Sequence, residues 1–125
     1  MNEDLLQALK RCDFEKVKDL IKKGADVNSK SKTGVTPLQR FCSKGHIDDV
    51  KFLVEQGADI HARDDSGETP LHWAILGDLD VVKFLIENGA DVNAKDGMDL
   101  TPLYWAVVNH KLEIAEYLRS KGAVW

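Results

Sequence analysis

The side chains that could ligate a metal or transfer protons are scattered along this chain and form no motif. The four histidines are His46, His61, His72 and His110. No two of them stand four residues apart on one helix, which is the spacing of a helical zinc site. The two cysteines, Cys12 and Cys42, lack the CxxC spacing of structural zinc sites. We therefore predict no catalytic residue, no metal site and no cofactor.

One pair of acids, Asp48 and Asp49, could in principle share acid–base work. The pair opens a predicted helix, where negative charge stabilises the helix dipole. This structural role explains the two carboxylates without catalysis, and we favour it.

A repeated phrase organises the elements that carry these residues. Gly-Ala-Asp begins at residues 24, 57 and 89, and Gly-Ala-Val begins at residue 122. Thr-Pro-Leu recurs in phase with it, beginning at residues 36, 69 and 101. Self-similarity at 32 or 33 residues indicates an array of stacked units, which builds a long surface and no enclosed pocket. The pattern favours binding over catalysis.

Each unit predicts two helices. A threonine N-cap followed by proline starts the first helix, giving 37–43, 70–76 and 102–109. The second helices are predicted over 47–56, 79–88 and 112–121, each ending before a glycine. Three slots of the second helix are apolar in all four units and predict the buried face. The slots are Phe14, Ile47, Leu79 and Leu112; Val17, Val50, Val82 and Ala115; and Leu20, Leu53, Leu85 and Leu118.

The segments Gly67–Ala74 (GETPLHWA) and Gly89–Ala94 (GADVNA), with 81–86 (VVKFLI), resemble the ankyrin repeat family. The resemblance covers essentially the whole chain. It implies an all-α solenoid with β-hairpin-like loops, in one domain of residues 1–125. The expected repeats are 1–30, 31–63, 64–95 and 96–125, the first and last acting as caps of a complete small protein. The third repeat is one residue short between its helices, so we expect a tighter turn there.

The resemblance also assigns structural roles. It places Asp64 at the hairpin aspartate position and makes His72 a structural residue. Gln39 and Tyr104 replace that histidine in the neighbouring repeats. The hydrogen bonding of those two units is therefore an open question.

Composition limits the kind of partner and the cellular compartment that we expect for this chain. The net charge is −4, and residues 65–96 carry seven acidic but only two basic side chains, so we expect no nucleic-acid partner. No apolar run approaches the ~18 residues of a membrane span, and the acidic start is unlike a signal peptide. We expect a monomer with reduced thiols in the cytoplasm, or in the host cytosol if the protein is an effector.

The resemblance implies a partner protein bound in a concave groove of loop tips and first-helix residues. Trp73 and Trp105 share one slot of adjacent repeats, and packing against the neighbouring repeat and contact with a partner are equally compatible with it. A second row, Phe52, Phe84 and Tyr117, is expected to pack between helices. The candidate groove residues are Lys32, Val35, Arg40, Lys44, Asp65, Ser66, Glu68, Trp73, Leu76, Met98, Leu100, Trp105 and Asn109.

These observations leave two functions open and disfavour a third. The first is a protein–protein interaction module, and the alternative is a small inhibitor or modulator of a partner enzyme. The chain has no motif of catalytic or metal-ligating residues and its third repeat is acidic. Both observations disfavour an enzyme or a nucleic-acid binder in its own right.

Overall fold

Eight short helices joined by loops make up the chain, and no β-strand is present. The structure is a computed structural model that describes residues 1–125. The helices are α1 (Asn2–Lys10), α2 (Phe14–Lys22), α3 (Pro37–Lys44), α4 (Ile47–Glu55), α5 (Pro70–Ala74), α6 (Leu79–Glu87), α7 (Pro102–Val108) and α8 (Leu112–Ser120). The predicted all-α fold of stacked helix pairs is confirmed. The predicted helix starts are also confirmed, and the ends differ by one or two residues.

The first helix of repeats 2, 3 and 4 begins at its threonine cap, as the sequence predicts. The Thr36 hydroxyl accepts a hydrogen bond from the Gln39 backbone N–H, and the Gln39 side chain accepts one from the Thr36 N–H. Thr69 and His72 form the same reciprocal box. Proline follows each cap, because the first helical position needs no N–H donor.

The second helices end at the glycines of the repeated phrase. Each of these glycines has a positive φ between 91° and 108°, which costs glycine little. The alanine that follows donates its N–H to a carbonyl five residues earlier, as in Ala58 to Leu53 and Ala90 to Leu85. The chain thereby reverses into the next loop with its backbone satisfied.

Stacking of the units creates one continuous core. The first helices contact one another in the order α3, α5, α7, and the second helices contact in the order α4, α6, α8. Within each unit the two helices pack together. The slot of Leu53, Leu85 and Leu118 is fully buried, and so is that of Val50 and Val82. In the remaining slot Phe14, Ile47 and Leu79 are only half-buried, and the prediction for Leu112 is wrong because it is 65% exposed on α8.

The short third repeat makes a different turn between its helices. The other three units place a positive-φ residue there, namely Cys12, Gly45 and His110. Gly77 does not have a positive φ, and a Cβ at this position would lie 2.4 Å from the Cys42 carbonyl oxygen. Close packing against repeat 2 therefore requires glycine at Gly77.

Asparagines clamp the loops of neighbouring units. Asn28 donates to the Gly57 carbonyl and accepts from the Asp59 N–H. Asn93 does the same with Gly122 and Val124. His61 occupies this slot between repeats 2 and 3 and forms neither bond, and a cavity of about 120 Å³ lies beside it.

We expect Leu85→Ala to lower the free energy of unfolding by about 2–5 kcal/mol, because it opens a cavity between two repeats. Arg119→Leu should cost far less, since Arg119 is exposed on the last helix. Chemical denaturation of both variants tests the difference. Equal losses of unfolding free energy in the two variants would contradict the assignment of Leu85 to the core and of Arg119 to the surface.

Candidate functional site

Each loop of repeats 3 and 4 is built around one buried aspartate. In repeat 3, Asp64 Oδ1 accepts the backbone N–H groups of Ser66 at 3.0 Å and Glu68 at 2.9 Å. Its second oxygen, Oδ2, accepts the indole N–H of Trp73 at 2.9 Å. The carboxylate therefore ties the loop tip to the first helix of its own repeat.

Repeat 4 forms the same arrangement around Asp96. Its Oδ1 accepts the N–H groups of Met98 and Leu100 at 2.9 Å, and its Oδ2 accepts the Trp105 indole N–H at 3.2 Å. Burial acts to raise the pKa of Asp96, but these three donors outweigh it and leave the pKa below its ordinary value. Asp96 is thus a charged structural acceptor.

Hydrogen bonds also join the loop tips of successive repeats. The Asp65 N–H donates to the Thr33 carbonyl at 3.0 Å, and the Gly97 N–H donates to the Ser66 carbonyl at 2.8 Å. The three tips therefore form one continuous edge beside the first helices.

The open question about Gln39 is answered by its side-chain amide. Nε2 of Gln39 donates to the carbonyl of Ala62, at the end of its own repeat, and to that of Glu68 in the next repeat, both at 3.0 Å. Nε2 of His72 makes the corresponding contact to the Leu100 carbonyl at 2.9 Å. Glutamine therefore replaces histidine as the bridge between repeats.

His72 is held in one neutral tautomer. Its Nδ1 lies 3.2 Å from the Thr69 backbone nitrogen, whose N–H donates to it, so the ring proton is on Nε2 and donates to Leu100. Burial lowers the pKa of His72, and its contact with the Leu100 carbonyl only partly opposes this. The residue is structural, as the sequence indicates.

Tyr104, which stands in this slot in repeat 4, packs against the final residue of the described chain. It is 37% exposed, and its ring meets the edge of the Trp125 ring with centroids 5.9 Å apart. Sequence reasoning missed this pair, because the contact depends on where the terminal residue lies.

We expect His72→Gln to retain most of the stability, because Gln39 makes the same bonds in repeat 2. His72→Ala should cost about 1–3 kcal/mol for each buried partner left unpaired. The parent should lose stability as pH falls below about 6.5, since the unfolded histidine then binds a proton that the folded one does not. Urea unfolding of parent and variants across this range is the measurement. If the free energy of unfolding of His72→Gln fell as steeply with acid as that of the parent, the assignment of His72 as neutral in the folded protein would be contradicted.

The structure places the thirteen predicted site residues at different depths. Val35 is a correction: it is 6% exposed, because its side chain turns inward below the tip. Partly buried members are Arg40, Glu68, Trp73, Leu100 and Trp105. The exposed members are Lys32, Lys44, Asp65, Ser66, Leu76, Met98 and Asn109.

Both tryptophans pack against the core as well as face the surface. Trp73 and Trp105 are half-buried, and their indole N–H groups are satisfied within the chain. The packing role is therefore present in the structure. Contact of their outer edges with a partner stays a prediction.

Exposed apolar side chains lie on the helices and the loop tip that carry or adjoin the two tryptophans. Leu76 and Val108 each follow a tryptophan by three residues and are 46% and 50% exposed. Met98, on the last loop tip, is 80% exposed. An apolar patch with exposed side chains on this face is suited to contact with another macromolecule.

The other aromatic row has a different environment. Lys22 lies over the Phe52 ring, Lys51 over Phe84 and Lys83 over Tyr117, at 5.5–5.9 Å from each centroid. These aromatics also pack against the core. The row is consistent with packing between the second helices.

Glu68 is the most perturbed acid of the surface. Glu68 is half-buried and lies on the same loop as Asp64, whose Oδ1 accepts its backbone N–H. Partial burial, then the negative charge of Asp64 and the hydrogen bond with its carboxyl group, raises the pKa of Glu68 to about 7, with a smaller effect from Asp96. Near neutral pH this surface therefore holds an exchangeable proton.

We expect Glu68→Gln to be more stable than the parent above pH 7, because it removes a charge from beside Asp64. The folded parent keeps the Glu68 proton up to about pH 7, whereas the unfolded chain releases it near pH 4.5. The parent's free energy of unfolding should therefore fall, relative to the variant, as pH rises across that window. Urea unfolding at several pH values measures the difference. Glu113→Gln on α8 is the matched control, and the same trend in both variants would contradict the assignment.

Further chemistry is limited. No group of three or more His, Cys, Asp or Glu side chains is placed to hold a metal ion. Cys12 is exposed and Cys42 is buried, and both are free thiols. Burial raises the pKa of the Cys42 thiol, which keeps it in the unreactive form. None of the helices combines the length and apolarity required to cross a membrane.

The fold and the bonded loops define an α-helical repeat protein. A family model described as "Ankyrin repeats (3 copies)" matches residues 5–96, and another described as "Ankyrin repeats (many copies)" matches residues 74–119. The chain belongs to the ankyrin repeat family, as its motifs indicate. Members generally serve in protein–protein interaction and are typically non-catalytic. The comparison with individual curated proteins found no match.

Proposed function

We propose that this chain binds one partner protein through the surface formed by its loop tips and first helices, hereafter the groove. The observation that carries the proposal is the exposed apolar patch of Leu76, Val108 and Met98 beside two half-buried tryptophans. The exposed polar members of the predicted set, Lys32, Lys44, Asp65, Ser66 and Asn109, would form the polar rim. A partner enzyme bound here would make the chain a modulator of that enzyme.

The rigidity of the groove supports this proposal. Asp64 and Asp96 hold the loop tips to the tryptophans, and the tips are bonded to one another. A surface that is already ordered loses little conformational entropy when it binds. Large aromatic side chains in such positions are enriched among binding hot spots.

The compartment and the assembly state belong to the same proposal. The chain would act as a monomer in the cytoplasm or in a host cytosol, on a protein and not on nucleic acid. Capture from source lysate with and without nuclease separates these partners. Capture that depends on nucleic acid would contradict the proposal.

We expect Leu76→Ser to weaken binding of the captured partner about tenfold, because a central apolar contact is lost from the interface. Val108→Ser should act in the same direction. Leu112→Ser is the matched control: Leu112 is 65% exposed but opens a second helix, away from the groove. Affinity and thermal melting are measured for each variant. Equal affinities for folded Leu76→Ser and Leu112→Ser would contradict binding through the groove.

A further inference from the structure

We propose that the partner segment is both cationic and apolar, with a lysine or arginine side chain lying against Glu68 and apolar neighbours covering Trp105 and Val108. This inference rests on the proposed function and specifies the chemistry of the partner. It is argued from charge complementarity and from the exposed apolar patch.

The acidic groups of this half of the groove have no ion-pair partner in the chain. All three ion pairs join residues between Glu15 and Asp49, in the first two repeats. The acids in the loop-tip segments of repeats 3 and 4 are Asp64, Asp65, Glu68, Asp96 and Asp99. A cationic ligand would therefore meet negative charge that no internal cation neutralises.

The nearest cation of the chain is committed elsewhere. Arg63 donates through one guanidinium nitrogen to the Gly67 carbonyl at 2.8 Å and to the Lys95 carbonyl. These bonds hold two loops together and direct that nitrogen to backbone oxygens. Asp64 and Asp96 are satisfied by N–H donors, whereas the Glu68 carboxyl group accepts no hydrogen bond from an N–H donor and forms no ion pair within the chain.

The position of Glu68 joins the charged and apolar parts of the surface. Glu68 shares its slot with Val35 and Leu100, so it is the one acid in an otherwise apolar row. The row lies beside the two aspartate–tryptophan pairs, and both aspartates act on Glu68. A side chain with an apolar stem and a charged end, such as lysine or arginine, matches this combination.

The other half of the groove has the opposite charge. Three cations, Lys10, Lys32 and Arg40, and one acid, Glu3, line a cavity of about 320 Å³ between the first helix and the first loop tip. A cationic segment is therefore directed away from this end and towards repeats 3 and 4. Complementarity of this kind fixes the register of a bound segment.

Binding of a cation at this position should displace a proton. The carboxyl groups acting on Glu68 are Asp64 on its own loop and Asp96 on the following loop. His72 on α5 is neutral, Gln39 on α3 carries no charge, and Arg63 is bonded to loop carbonyls. Partial burial and the two aspartates hold the pKa of Glu68 near 7, and a bound ammonium or guanidinium group would lower it.

Selection from a random dodecapeptide library displayed on phage tests the inference with the full chain as bait. We expect selected peptides to be enriched in Lys or Arg next to large apolar residues. Synthetic copies should bind about tenfold more weakly to Glu68→Gln, while Glu113→Gln binds like the parent. Affinity for the parent should rise between pH 6 and pH 8, with proton release seen as a buffer-dependent enthalpy, and Glu68→Gln should show neither.

The outcomes separate this inference from the proposed function. Acidic or neutral peptides that bind through Leu76 would overturn the cationic partner and leave the groove standing. Peptides that bind to Leu76→Ser and to Glu68→Gln as tightly as to the parent would overturn both the inference and the proposed function. A library that yields no binder overturns the inference, whereas the proposed function is then decided by capture of the natural partner.

Discussion

The surface depends on one constraint. This is the hydrogen bond that a buried side chain forms with the backbone of the next repeat. Gln39 and His72 each close the cap of their own helix and hold the loop of the following repeat. The same side chain therefore fixes where a helix begins and where the next loop lies. Because a lost buried partner costs free energy at both ends, helix start and loop position cannot vary independently.

The tryptophans extend this constraint to the accessible face. Each indole N–H is bonded to the aspartate that also organises the loop tip. A ring held in this way has a fixed outer edge, so shape and rigidity come from one interaction. The loops need no regular strand, because aspartate side chains and tip-to-tip bonds satisfy their backbone groups.

The sequence predicts the scaffold more completely than the site. The threonine-capped helix starts and the fully buried leucines of repeats 2–4, and the helix-ending glycines of all four repeats, are predictable because each recurs with the same local physics. The predictions for Leu112 and Val35 are wrong because sequence periodicity assigns a residue to a face of its repeat but does not say what packs against that face. The pKa of Glu68 is perturbed chiefly by partial burial and by Asp64, and the Tyr104–Trp125 pair joins the last first helix to the final residue. Neither burial nor the place of the final residue can be derived from local spacing.

The missing asparagine clamp at His61 has a mechanical consequence. Loops on either side are fastened by Asn28 and Asn93, but the joint between repeats 2 and 3 has a gap in place of those two bonds. The joint between repeats 2 and 3 therefore relies on its first-helix side, where α3 packs against α5 and Gln39 bonds to the Glu68 carbonyl.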